Sequence, residues 1–129
     1  MIYRGRLLPA LRGKYLFTDI STGHIWYSDF AEMLAADDGK PGTLAAMHPM
    51  RVAMTATGGM PNTQQDAMFP LVEAAYHRRG GRAEHLPGMA LVSATGRADA
   101  QLATDASGEL YVLTKSDGMI RAVVGAEAR

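Results

Sequence analysis

Cysteine is missing from this 129-residue chain. That excludes a disulfide framework and every thiolate metal site, without deciding the compartment. Neither sign of charge is in surplus, since Lys plus Arg and Asp plus Glu both number 13. A neutral chain has no global field to draw in a polyanion, so no nucleic-acid partner is expected. Long apolar runs are also missing. The longest uncharged stretch, residues 52–65, is rich in Gly, Pro, Thr and Asn, whereas a membrane-spanning helix needs about 20 apolar residues, so no membrane span is expected. Met1 is followed at once by Ile-Tyr-Arg-Gly-Arg, with no apolar stretch and no small-residue cleavage site, so no signal peptide is expected. Gly-x-Ser-x-Gly, P-loop and dinucleotide fingerprints do not occur.

The chain is long enough to bury one core and too short for two, so residues 1–129 are expected to form a single domain. Fourteen Gly and nine Met suggest many turns around an adaptable core. Residues 3–13 place Gly and Pro too closely for a helix, and their Leu cluster is expected to pack a short turn against a sheet. Lys14–Asp19 and His24–Ser28 are β-branched and aromatic runs around the Ser21-Thr-Gly23 turn, which predicts a hairpin. Phe30–Ala36 is expected to be a short helix with Asp29 as its N-cap, ending before Asp37-Asp-Gly-Lys-Pro-Gly42. Further expected elements are a strand at Arg51–Thr55, a loop at Thr57–Asn62 and an amphipathic helix within Thr63–His77 that Pro70 interrupts. Strands are expected at Ala90–Ala94, Ala98–Thr104, Glu109–Thr114 and Met119–Val124.

Gly13–Ile25 lies over Gly108–Ile120 without a gap, at a displacement of 95 residues. Gly13 and Gly108, Ser21 and Ser116, Gly23 and Gly118, and Ile25 and Ile120 are identical pairs. The shared unit is a hairpin whose turns need positive φ, which favours glycine. An isolated hairpin is marginal, and repeated antiparallel sheets commonly gain stability by stacking radially as propeller blades. The expected fold is therefore mainly β, with antiparallel sheets of β-propeller type, two to three blades and a short helical insertion.

The pattern Tyr3-Arg-Gly-x-x-Leu-Pro-x-Leu-x-Gly-x-Tyr-x-Phe-x-Asp-x-x-x-Gly-x-Ile-Trp26, with Thr104-Asp-Ala-Ser-Gly-Glu-Leu-Tyr-Val-Leu-Thr-Lys-Ser-Asp-Gly-Met-Ile120 much later, resembles the C-terminal part of glucose/sorbosone dehydrogenase-like proteins. The resemblance covers about residues 2–30 and 97–124; residues 31–96 match poorly. It implies a six-bladed propeller of a periplasmic or secreted quinoprotein that oxidises aldose sugars with pyrroloquinoline quinone and calcium. It also implies that the catalytic histidine lies in a blade before this chain begins, so no catalytic residue is assigned and the isolated chain is expected to be inactive. Cofactor contacts carried over by position fall on Ser21, Thr22 and Gln101. The family places cationic side chains there, whereas Ile20-Ser-Thr-Gly23 has none, and Gln101 cannot give the bidentate pairing of a guanidinium. An alternative function is a non-catalytic propeller-type binding or assembly module, a homo-oligomer joined through blade edges.

Other candidates have plainer readings beside them. His24, His48, His77 and His85 are scattered, so no metal site is expected. Asp105-x-Ser107-x-Glu109 starts like a calcium loop, but its sixth position is Leu110 and its twelfth Ser116, which suits a hairpin turn. Lys115 is either a cation at a propeller mouth or a solvated turn charge. His77-Arg-Arg-Gly-Gly-Arg82 is either a phosphate contact or a solvated loop. Trp26 with Tyr27 and Tyr15 is either a sugar-stacking platform or packing between sheets.

Overall fold

The structure, a computed structural model, describes residues 1–56, 60–92 and 94–128. Its strands are β1 (Lys14–Thr18), β2 (Ile25–Asp29), β3 (His48–Ala56), β4 (Met60–Gln65), β5 (Ala100–Thr104), β6 (Leu110–Thr114) and β7 (Met119–Ala128). Its helices are α1 (Phe30–Ala36) and α2 (Phe69–Arg78), with single 3-10 turns at Pro9–Leu11 and Ala83–His85. All strands belong to one antiparallel sheet in the order β1-β2-β3-β7-β6-β5, and β4 also pairs with β3. The chain is thus mainly β with two short helices. None of the helices among the described residues is long and apolar enough to cross a membrane.

The long pair β3–β7 holds the two hairpins together, running from Met50↔Ala128 to Ala56↔Arg121 with a register shift between Ala53 and Met54. Such a shift increases the local twist and helps the sheet curl. Its ends then meet. Ala98 N donates to Ser21 O at 2.7 Å and Ala100 N to Ile20 O at 3.2 Å, so the sheet is nearly closed into a barrel. Alternate side chains turn inward. Leu16, Ile25, Val52, Met54, Leu110, Val112 and Val123 are buried there together with Met68, the residue before α2, and Val72 of α2. Each fully buried apolar side chain of this size contributes roughly 1.5–3 kcal/mol.

The expected hairpins form, and their registers coincide under the 95-residue displacement: Thr18↔Ile25 corresponds to Leu113↔Ile120, and Leu16↔Tyr27 to Tyr111↔Ala122. The turn glycines match as well, with φ of +79° at Gly13 and +85° at Gly108, and +71° at Gly23 and +67° at Gly118. Both hairpins belong to one continuous sheet, which does not by itself define a number of blades. The lead-in packs as expected. Leu8 and Leu11 are buried, while Tyr3 N donates to Lys14 O at 3.0 Å and Leu16 N to Met1 O at 2.6 Å, covering the free edge of β1.

The middle of the chain departs from expectation. Residues 60–62, expected in a loop, and 63–65, expected in a helix, form β4, because β3 offers them an edge that no local pattern reveals; Thr57–Gly59 lie outside the described residues. Helix α2 starts at Phe69, so Pro70 sits in its first turn instead of interrupting it. There its fixed φ and missing N–H cost nothing. Residues 90–92 form turns instead of a strand, with Leu91 N bonded to Gly88 O at 3.1 Å, and Ser93 lies outside the described residues. The strand expected from Ala98 begins at Ala100, and that expected from Glu109 begins at Leu110. Helix α1 forms as expected, with the Asp29 carboxylate accepting from Ala31 N at 2.9 Å.

Candidate functional site

The two equivalent turns carry the same polar pair in opposite order. In the first, the Asp19 carboxylate accepts from Thr22 N at 2.6 Å, from the Thr22 hydroxyl, and from His24 N at 3.2 Å. In the second, Thr114 Oγ1 donates to Asp117 Oδ1 at 2.6 Å and Met119 N donates to the same oxygen at 3.2 Å. Asp19 corresponds to Thr114, and Thr22 to Asp117. A carboxylate facing a hydroxyl across the turn closes it from either side. Burial pushes the Asp19 carboxyl up, but hydrogen bonds from the Thr22 hydroxyl and from the Thr22, His24 and Ser21 amides outweigh it, so the group titrates below its ordinary value.

Both turns are held by α2, about 15 Å long by its ten residues. Phe69 N, at its start, donates to Thr22 O at 2.9 Å. Arg79, just past its end, donates from Nη1 to Asp117 O at 2.5 Å. Gly23 lets the first turn come this close, since a Cβ there would lie 2.6 Å from Met68 Cβ. The segment 97–101 threads between the turns: Ser116 Oγ donates to Arg97 O at 2.6 Å and Lys115 N to Asp99 O at 3.2 Å. Asp99 turns the chain there with φ of +48°.

Beside this crossing is a cavity of about 290 Å³ lined by Asp99, Gln101, Leu113, Lys115, Met119 and Ile120, among others. Gln101 therefore has a place in a cavity. Ser21 and Thr22 lie on the other side of segment 98–100 and do not line it; Ser21 O is bonded to Ala98, and Thr22 Oγ1 faces Asp19 and, at 2.7 Å, His24 Nδ1. The structure therefore separates Ser21 and Thr22 from the cavity that Gln101 lines. Lys115 lines the cavity with Gln101, and neither side chain has an ion pair or hydrogen bond among the described residues.

A buried ion pair fixes the second turn. The side chains of Arg121 and Asp117 are 2% and 0% exposed and in contact, and Arg121 Nη1 also donates to Thr114 Oγ1 at 2.6 Å. Arg97 Nη2 lies 2.8 Å from Asp99 Oδ1. That approach has the distance of an ion pair without hydrogen-bond geometry, and Asp99 Oδ1, Arg97 Nε and Arg121 Nε are buried without hydrogen-bond partners.

The remaining candidates are placed as follows. Asp105 accepts from Ser107 N at 2.9 Å, Ser107 Oγ at 2.7 Å and Glu109 N at 3.0 Å, a closed turn whose hydrogen bonds, the Ser107 hydroxyl first, lower its pKa. Tyr15, Phe17 and Trp26 share the outer face of β1–β2, while Tyr27 lies on the other face against His48, with ring centroids 4.9 Å apart. Phe17 and Trp26 are stacked at 5.7 Å and 21° across the hairpin. His77 Nδ1 is 3.0 Å from Gly81 O, Arg82 pairs with Glu84 at 2.5 Å, and Arg79 holds the second turn, which divides the basic cluster. Among the described residues no group of three or more His, Asp or Glu could hold a metal ion.

Glu109, the last residue of the Asp105-x-Ser107-x-Glu109 pattern, has a role that the pattern does not reveal. Its carboxylate accepts from Tyr3 OH at 2.5 Å and from the amides of Arg6 at 2.7 Å and Leu7 at 3.2 Å, tying the lead-in to the start of β6. The Tyr3 hydroxyl and then the Arg6 amide hold Glu109 below its ordinary pKa. No family model, curated protein or solved structure matches the chain.

Proposed function

We propose that the chain supplies the closing blades of a periplasmic or secreted quinoprotein aldose dehydrogenase of the glucose/sorbosone dehydrogenase-like type, and is inactive by itself. The observation that carries this reading is the repetition of one hairpin in backbone register and turn φ; the core-facing positions are Leu16 and Ile25 in the first copy and Leu110 and Val112 in the second, one residue out of phase. Apolar side chains on the outer face of both hairpins add support. Phe17 and Trp26 lie on one, Leu113 and Ile120 on the other. A blade is covered on both faces by its neighbours.

In this reading the cavity takes the carboxylate end of pyrroloquinoline quinone between the Lys115 ammonium and the Gln101 amide, beside Asp99, which Arg97 approaches at 2.8 Å. When bound, that cofactor would accept hydride from the sugar. In this reading the chain's part is to hold the quinone while the base comes from an earlier blade. A dye-linked aldose assay with added quinone and calcium checks this: no turnover is expected from the purified chain, and turnover would contradict its role as closing blades alone.

A second reading, a non-catalytic module that assembles through its blade edges, is favoured by exposed apolar side chains such as Ile120, 51% exposed. Native mass spectrometry separates the two. A trimer of two-blade units without quinone binding supports self-assembly, whereas a quinone-binding monomer supports the enzyme fragment.

A further inference from the structure

We infer that the groove on the outer face of the first hairpin is a contact between two copies of this chain, in which the basic lead-in of each copy seats on the acidic rim of the other's groove. It goes beyond both functional readings, because it uses neither the strand edges nor the cavity at the second turn. The groove, of about 360 Å³, is lined by Tyr15, Phe17, Ser28, Met33, Ala45 and Met47. Tyr15 and Phe17 stand where Leu110 and Val112 stand in the second hairpin, 95 residues on, and those two are buried in the core. The same strand pattern therefore gives the first hairpin an apolar face, which α1 and residues 45–47 cover in part. Around it, Leu44 and Met47 are 85% and 68% exposed, and Leu34, beside Met33, is exposed as well. Apolar side chains grouped in this way on a surface mark a contact.

Charge identifies the occupant. The chain is neutral as a whole, yet its charges are segregated. Residues 1–14 carry Arg4, Arg6, Arg12 and Lys14 and no acid, while residues 29–38 carry Asp29, Glu32, Asp37 and Asp38 and no Lys or Arg. Lys14 and Asp29 pair within the chain at 2.6 Å. The exposed Arg4, Arg6 and Arg12 form no ion pair among the described residues, and neither do the exposed Glu32 and Asp37. Leu7, itself exposed, stands among those arginines, so the lead-in presents an apolar anchor flanked by cations. Groove and lead-in lie at one end of the first hairpin, since the lead-in runs into β1 at Lys14 and α1 leaves β2 at Asp29, the partner of Lys14 across the hairpin. A two-fold axis near that end lets each copy's lead-in meet the other's groove, the self-complementary arrangement of a symmetric dimer.

The test is sedimentation equilibrium of the full chain. A reversible monomer–dimer equilibrium is expected, weaker at about 1 M salt than at about 0.1 M. Arg4→Glu with Arg12→Glu, and Glu32→Lys with Asp37→Lys, should each weaken it about tenfold, and an equimolar mixture of the two variants should restore it as a heterodimer. Leu44→Ser with Met47→Ser should weaken it as well, whereas Leu91→Ser, outside the groove, should leave it unchanged; circular dichroism checks that each variant is folded. A chain that stays monomeric at every concentration, a dimer that both charge variants leave intact, or a mixture that does not recover overturns the inference. So does a trimer, which points to the strand edges instead. Quinone titration of the charge variants keeps this claim apart from the functional one. Loss of the dimer with quinone binding unchanged upholds the contact and spares that reading, and a charge-dependent dimer that binds no quinone upholds the contact and contradicts it.

Discussion

Arg121 illustrates how a single buried residue governs a turn that solvent-exposed residues use. Among the described residues its guanidinium is matched by Asp117 and Thr114 alone, and its Nε has no hydrogen-bond partner. Arg121→Met leaves the Asp117 charge stranded and should cost roughly 3–5 kcal/mol in urea unfolding. Adding Asp117→Asn should recover part of that loss by removing the charge. Carboxylates at the surface act through pH. Glu109, held first by the Tyr3 hydroxyl, and Asp105, held first by the Ser107 hydroxyl, both have pKa values below the ordinary range in the folded chain. Their stabilisation is complete above the unfolded pKa, near 4, and is lost as pH falls through the folded values. Urea midpoints should therefore drop on acidification, and Glu109→Gln should flatten that dependence. Asp105 was legible because its partners lie within six residues. Glu109 was not, because its amide partners stand about a hundred residues away in a lead-in whose shape no local pattern encodes.

Among the elements, hairpins and caps follow local chemistry, whereas strand pairing depends on what the rest of the chain offers. The β1–β2 and β6–β7 hairpins and the Asp29 cap form as the residues imply. Strand β4 carries Gly- and Pro-rich neighbours and exists because β3 presents an edge. Helix α2 shows why position within an element matters more than composition. Pro70 lies in its first turn, so Pro70→Ala should change stability by less than about 1 kcal/mol, where a mid-helix proline would give a gain of about 3 kcal/mol on removal. The turn glycines separate strain from packing. Gly13→Ala meets nothing within 4 Å and carries only the φ penalty, while Gly23→Ala at similar φ also drives a Cβ to 2.6 Å from Met68. Thermal unfolding should show Gly13→Ala losing about 1 kcal/mol and Gly23→Ala clearly more.

For the whole molecule, the repeat was readable in the sequence because glycine spacing and apolar alternation recur at a fixed distance. Closure of the sheet was not readable, since it rests on two backbone hydrogen bonds from segment 98–100 to the first turn. Those bonds set segment 98–100 between the first turn, with Ser21 and Thr22, and the cavity that Gln101 and Lys115 line. The proposal that this cavity holds the cofactor of a sugar-oxidising quinoprotein is checked by absorbance titration of pyrroloquinoline quinone with the purified chain. A saturable spectral change is predicted, weakened by Lys115→Met; an unchanged quinone spectrum at every chain concentration would contradict the account.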